Sequence, residues 1–291
     1  MRNAAWILAI LLSFRAWGAT FVLPTANTSL LDPAKQEQFF VGTIGRPWTS
    51  GQFGCVRSEG FKFHEGLDIR CLARDRRGEP TDPVMASADG TVAYISTRAG
   101  LSNYGIYLVL RHQVEGLEIY TLYAHLSAVR KGLRIGDTVR AGEVVATMGR
   151  TTNTREGISK DRAHLHFEID LVANGRYAAW HASTLKGVRN DHGNFNGRNL
   201  LGIDPAAIFR EQVRLGAGFR LVQFLQAQPV LARVAVAHEI VGAIDTGIAR
   251  KEDAFPGQPG KSVAAGVGHA KMPQLDPPAT VIERQLAIEQ R

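Results

Sequence analysis

Residues 160–170, KDRAHLHFEID, constrain the chain most. Apolar and polar residues alternate there, the signature of a strand with one buried face. Side chains at i and i+2 of a strand share a face. His164, His166 and Glu168 therefore line one side and Leu165, Phe167 and Ile169 the other. Two imidazoles on one face, backed by an apolar row, are half of a metal or catalytic site. The rest of the chain has to supply the other half.

Short apolar stretches and 30 glycines among 291 residues favour a β-rich fold with many turns. Residues 83–95 (PVMASADGTVAYI) carry Asp89-Gly90 between two apolar runs, a hairpin signal. Residues 105–111 and 117–123 are rich in β-branched and aromatic side chains, with residues 114–116 as their turn. Residues 137–148 turn at Ala141-Gly142. Strands this close together, joined by short turns, imply an antiparallel sheet. Residues 149–162 are polar and read as a loop leading into the histidine strand. Residues 175–202, rich in Asn and Gly, also read as loop, and Pro205 starts a short helix over 205–214.

The ends of the chain read differently. Residues 4–14 (AAWILAILLSF) form an apolar run too short to span a bilayer. Arg2 precedes it, and Ala16 and Gly18 follow with the spacing of a cleavage site, so residues 1–18 read as an export signal. Residues 19–41 are a polar N-terminal extension that reads as a short pro-segment, a linker or part of the fold. Residues 215–248 are a small C-terminal α+β lobe, and residues 249–291 a flexible tail with a last helix over 279–289. No other stretch is long enough to cross a membrane. The formal charge of +7 falls to +5 when Arg2 and Arg15 leave with the signal, which suits an anionic surface such as a cell wall. The basic residues are scattered rather than striped, and no nucleic-acid motif is present. In an oxidising compartment Cys55 and Cys71 are a candidate disulfide, worth roughly 3 kcal/mol by loop closure.

The complement to the histidine strand lies upstream. Phe63-His64-Glu65-Gly66-Leu67-Asp68 places a histidine and a carboxylate four apart. On a helix this would be a His-Glu-x-x-Asp face, but Gly66 and the missing helical period argue for an extended segment with a bend. Tyr123-Ala124-His125-Leu126 puts another histidine where a strand meets a loop. Glu168 is either a hydrogen-bond partner of a ligand histidine or a surface carboxylate. His112 reads as structural, and His181, His192, His238 and His269 lack convergent partners.

Taken together, His64-x-x-x-Asp68, Tyr123-x-His125-Leu126 and His164-x-His166-Phe167-Glu168 resemble the lysostaphin-type (LytM-like) murein zinc metallopeptidases, in that order. The resemblance covers roughly residues 42–168 and includes Asp89-Gly90-Thr91-Val92 and Gly136-Asp137-Thr138-Val139. Asp204-Pro205 resembles the close of that domain. The resemblance implies a mainly β, antiparallel metallopeptidase domain over 42–214 with an open substrate groove. It also implies one Zn2+ per chain held by His64, Asp68 and His166. His125 and His164 would be catalytic, handling the proton and the oxyanion; which is the principal base stays open. The implied reaction is hydrolysis of peptide cross-links of peptidoglycan by a metal-activated water, in the periplasm or cell envelope. The alternative is a non-catalytic or autoinhibited regulator of other murein hydrolases, with residues 20–40 as a mask. Residues 149–163 and 175–201 depart from the family pattern, and both border the expected groove.

Overall fold

The computed structural model describes residues 21–57 and 62–228. The export signal expected over 1–18 and the tail over 249–291 lie outside the described residues, as do residues 229–248 of the expected lobe. In chain order the strands are β1 (Val56–Arg57), β2 (Lys62–Phe63), β3 (Leu67–Arg70), β4 (Pro83–Met85), β5 (Gly90–Ser96) and β6 (Ile106–Val114). They continue with β7 (Leu117–Leu126), β8 (Ala128–Val129), β9 (Thr138–Val139), β10 (Val144–Thr147), β11 (His164–Val172) and β12 (Leu200–Ile203). The helices are α1 (Gln36–Phe39), α2 (Tyr177–Thr184), α3 (Pro205–Leu215) and α4 (Leu221–Gln226).

The fold is mainly antiparallel β. A seven-stranded sheet runs β12-β11-β7-β6-β5-β9, with β3 sharing the β12 edge of β11. β3 covers His164–Phe167, and β12 covers Ile169–Val172. A small sheet, β4-β10-β8, packs nearby. The expected alternation on β11 holds. Leu165, Phe167 and Ile169 are buried in the main core, and burying such a side chain contributes roughly 1.5–3 kcal/mol. His164, His166, Glu168 and Asp170 face the other way and are also buried.

The β6–β7 hairpin forms where expected. Glu115 (φ 54°) and Gly116 (φ 80°) both take left-handed backbone, the turn whose twist matches paired strands. Two other turns behave differently. β4 pairs with β10, whereas β5 pairs with β6 and β9, so Asp89-Gly90 carries the chain from the small sheet to the large one. Ala141-Gly142 carries it back, from β9 to β10. A turn signal specifies a reversal of direction but not the partner. Gly90 is needed for a close approach: a Cβ there would sit 2.5 Å from the Arg111 carbonyl oxygen.

Three expectations are corrected. Residues 21–41 are part of the core, not an extension or a mask. Phe21, Leu30, Phe39 and Phe40 are all buried in it. The Val22 amide donates to the Ser87 carbonyl at 2.6 Å, and the Met85 amide to that of Pro24 at 2.9 Å. These aromatics fill separate pockets, so no period betrays them. The described start of the C-terminal lobe also joins this core, through Phe219, Leu221 and Leu225. The Glu115 carboxylate accepts from the Leu221 and Val222 amides at the start of α4. Finally, Cys55 and Cys71 are free thiols, so the candidate disulfide is absent. Cys55 lies across from His64 in the β1–β2 hairpin. Cys71 lies beyond the far end of β3, past Arg70. A bridge needs Cα atoms within about 7 Å, and β3 carries the two apart.

The stretch 175–202 is not all loop: it holds α2 and folds back over the second face of the large sheet. Tyr107 donates its hydroxyl to the Phe195 carbonyl at 2.7 Å, and Phe195 stacks on Tyr94. Its asparagines make the turns; the Asn194 amide nitrogen donates to the Gly175 carbonyl, and that of Asn199 to the Asn174 carbonyl. Asp204 caps α3, accepting from the Ala206 amide at 2.9 Å and the Ala207 amide at 3.2 Å, with Pro205 at the first position. No helix among the described residues is long and apolar enough to cross a membrane.

Candidate metal centre

His64 follows β2, the chain bends at Glu65-Gly66, and Asp68 lies on β3 directly across from His166 on β11. The extended reading of this motif therefore holds. Gly66 makes the bend fit, because a Cβ there would lie 2.3 Å from the Phe167 carbonyl oxygen and 2.8 Å from Glu168 Cγ. Three donor atoms converge. His64 Nε2 lies 3.0 Å from His166 Nδ1 and 3.0 Å from Asp68 Oδ1, and His166 Nδ1 lies 3.1 Å from Asp68 Oδ1. Tetrahedral zinc with bonds of about 2.0–2.1 Å separates its ligand atoms by roughly 3.3 Å. The set fits such an ion after shifts of a few tenths of an ångström.

Each ligand candidate is anchored from behind. His64 Nδ1–H donates to the Gln52 carbonyl at 2.8 Å, leaving Nε2 for the centre. His166 Nε2–H donates to Glu168 Oε1 at 2.6 Å, leaving Nδ1 for the centre. Such partners orient an imidazole and set its tautomer. Glu168 also accepts the Tyr104 hydroxyl at 2.9 Å and is completely buried. Asp170 lies beside it on the same face, also completely buried. Burial, followed by the Glu168 charge, raises the Asp170 carboxyl well above its ordinary range. Asp68 Oδ2 accepts from Arg57 Nη2 at 2.7 Å.

Burial and close contact shift the protonation of these groups against one another. Burial pushes His64 down to about 4. Burial also opposes a charge on His166, but hydrogen bonds to Asp68 and Glu168 outweigh it and raise the group to about 9. Burial alone would raise Asp68, yet His64, His164 and Arg57 hold its carboxyl well below the usual range.

His125 and His164 complete the constellation. Their rings meet edge to face with centroids 4.9 Å apart, and the His125 ring lies 5.9 Å from that of His166. His125 Nδ1–H donates to the Thr151 carbonyl at 2.8 Å, and His164 Nδ1–H donates to that of Arg162 at 2.7 Å. A carbonyl only accepts, so both rings keep a bare Nε2. Burial lowers the pKa of both, that of His125 most strongly. His125 also has φ 60°, a strained backbone for a residue with a Cβ, of the kind that clusters at functional sites. The polar loop before β11 is tied to the site: the Thr151 carbonyl anchors His125. Glu79 ties the loop down through Arg150 at 2.8 Å and Lys160 at 3.4 Å.

All five residues singled out from the sequence meet here. The supporting groups Gln52, Arg57, Tyr104 and Thr151 carry no motif. Glu168 and Asp170 share the two-residue period of His166, and that period is the signal that finds them. His112 is structural, bonded to the Asp89 carbonyl and to Thr121. His192 braces Tyr94 at 2.9 Å, and His181 packs on Tyr177. His238 and His269 lie outside the described residues.

An antiparallel β domain thus brings a His-Asp-His cluster that could hold a metal ion beside two further histidines. Residues 62–179 match the sequence model of Peptidase family M23. An "Uncharacterized metalloprotease" of Haemophilus influenzae is 43% identical over 94 residues, which are 32% of this chain and 17% of that protein. "DD-carboxypeptidase/endopeptidase Mpg" of Neisseria meningitidis is 38% identical over 111 residues, 38% of this chain and 21% of that protein. The alignments thus span about a fifth of the relatives' length. Among solved structures, the catalytic domain of lysostaphin from Staphylococcus simulans is 24% identical, with a TM-score of 0.29, covering 40% of this chain and 75% of that one. A zinc-containing peptidase from Vibrio cholerae is 22% identical, with a TM-score of 0.31, covering 46% of this chain and 37% of that one.

Proposed function

We propose that the protein is an exported zinc endopeptidase that hydrolyses peptide cross-links of bacterial peptidoglycan. The observation that carries this reading is the convergence of His64 Nε2, Asp68 Oδ1 and His166 Nδ1 within 3.1 Å of one another, with both imidazoles anchored from behind. The M23 match supports the reaction class. The relative named DD-carboxypeptidase/endopeptidase supports a cell-wall peptide as substrate. The apolar run over residues 4–14 supports export.

In this reading His64, Asp68 and His166 hold one zinc ion. Bound there, zinc would supply Lewis-acid chemistry, polarising a carbonyl and lowering the pKa of a water toward about 7. The chain's own residues do the rest. His125 and His164 are neutral at pH 7, with Nε2 lone pairs available, so either can take the proton of the attacking water. Once protonated, the same atom donates a hydrogen bond to the developing oxyanion and then a proton to the leaving amine. Burial lowers their basicity, and negative charge growing on the substrate restores it at the moment it is needed. Glu168 and Tyr104 keep His166 in one tautomer throughout, and Thr151 does so for His125. Arg57 holds the second oxygen of Asp68.

The test is digestion of purified peptidoglycan by the full chain before chelation, after chelation and after zinc is restored, with metal content measured alongside. The reading requires about one zinc per chain, loss of digestion on chelation and its return with zinc. Equal digestion by chelated and zinc-loaded protein overturns it.

A further inference from the structure

On the Asp68 side of the centre, two guanidinium groups stand beside a single carboxylate. Arg57 is held by Nη2, which donates to the Ser50 carbonyl and to Asp68 Oδ2, each at 2.7 Å. Its Nε is buried with no hydrogen-bond partner among the described residues, while the side chain keeps 26% exposure. Arg162 precedes His164 by two residues and is also half-buried. Its Nε donates to the Gly42 carbonyl at 3.0 Å, and no carboxylate lies within ion-pair distance of it among the described residues. The two arginines feel each other's charge and that of Asp68. Asp68 is already claimed by His64 and His166, with His164 Nε2 only 3.5 Å away. It cannot neutralise both guanidiniums as well.

Two arginines elsewhere in the fold lie on carboxylates of their own. Arg150 lies on Glu79 and Arg130 on Glu143. Arg57 and Arg162 are pinned through one nitrogen each to backbone carbonyls of residues 42–50, beside the His-Asp-His cluster. That anchoring fixes their position and leaves guanidinium edges unused. A planar fork held beside a reaction centre is suited to a carboxylate, which accepts two parallel N–H bonds in low-dielectric surroundings. The opposite side of the centre is lined by aromatic side chains among the described residues. There the sheet face is covered by residues 173–199, and Tyr104, Tyr107 and Tyr120 are buried under them.

We infer that Arg57 and Arg162 form a subsite for a carboxylate of the bound peptide, so that substrates with an acidic group next to the scissile bond are selected. This rests on the peptidase reading above and adds the substrate class. The carboxylate can be the free C-terminus of a stem peptide or an acidic side chain within it. Either accepts the same bonds.

The test uses the zinc-loaded full chain and three forms of a synthetic peptidoglycan stem pentapeptide: the free acid, its C-terminal amide, and a form with its side-chain carboxylates amidated. Dissociation constants are measured by calorimetry, with hydrolysis followed in parallel. Amidating the recognised carboxylate is expected to weaken binding about tenfold, and the affected form identifies which carboxylate it is. Arg162→Gln is expected to lose the same factor on the free acid and nothing more on the amide, with Arg162→Lys recovering part and zinc content unchanged. Arg162 is the cleaner position, because Arg57 also holds Asp68. Equal binding of all three forms, or discrimination that survives Arg162→Gln, overturns the inference. Discrimination in binding leaves this subsite standing whether or not the uncross-linked pentapeptide is cut; absence of zinc-dependent digestion of purified peptidoglycan by the same protein counts against the peptidase reading alone.

Discussion

Replacing Glu168 by glutamine asks whether the buried carboxylate behind His166 positions a metal ligand or merely fills the core. Glu168 Oε1 accepts from His166 Nε2–H at 2.6 Å in a completely buried setting. Hydrogen bonds to charged groups contribute about 1.5–3 kcal/mol, and a neutral acceptor retains roughly half of that. Glutamine keeps the volume and an acceptor oxygen for His166 and Tyr104 but loses the charge. The expected loss is therefore about 1–1.5 kcal/mol of zinc binding, close to tenfold in Kd at about 1.4 kcal/mol per decade. Removal of comparable supporting groups elsewhere costs about 10–100-fold. The assay is a competition titration of metal-free protein against a chelator of known affinity, alongside urea unfolding of the same samples. Stability of the metal-free protein should change by less than about 1 kcal/mol, since a neutral amide replaces a charge that is costly to bury. A zinc Kd within twofold of the wild type would refute the positioning role. So would a loss of stability as large as the loss of zinc affinity.

Two further outcomes follow from the packing and the buried histidines. Gly66→Ala forces a methyl to within 2.3 Å of the Phe167 carbonyl oxygen, so it should cost about 1–3 kcal/mol in urea unfolding and weaken zinc binding by moving His64 against Asp68; unchanged stability would mean the bend is looser than described. His112 should make stability pH-dependent. Burial lowers its folded pKa below the ordinary 6.5, so the unfolded chain takes up the proton first as pH falls through about 6.5, and stability present above that pH is lost below it. Unfolding free energies of the zinc-loaded protein at pH 7.5 and 5.5 should show the loss, and His112→Gln should remove about one proton of the slope. An unchanged slope would contradict the neutral, buried state of this ring.

The site was more legible in the sequence than the fold that supports it. His64, Asp68, His125, His164 and His166 stand in short motifs because ligand geometry demands fixed spacing on strands and at a bend. The two-residue period that places His164 and His166 on one face also places Glu168 and Asp170 there, and burial decides that these are supports rather than surface. Gln52, Tyr104 and Thr151 escape notice because two of them act through backbone carbonyls, which any residue provides, and Tyr104 through a single hydroxyl. Pairing partners were hidden for a related reason. Asp89-Gly90 and Ala141-Gly142 look like hairpin turns, but turn chemistry is local and sheet membership is set by long-range packing. Phe21, Leu30, Phe39 and Phe40 sit in a polar, aperiodic stretch, so their burial depends on pockets built by distant residues. The thiols show the limit of arguing from compartment: Cys55 and Cys71 lie beyond opposite ends of β3, and the strand keeps them apart.

The most direct test of the central claim is mass spectrometry of the fragments released from purified peptidoglycan by the zinc-loaded chain and by His166→Ala. The account predicts fragments ending at a hydrolysed peptide bond, with glycan strands intact, and none above background from His166→Ala. Fragments cut in the glycan, or the same peptide fragments from His166→Ala as from the wild type, would contradict it.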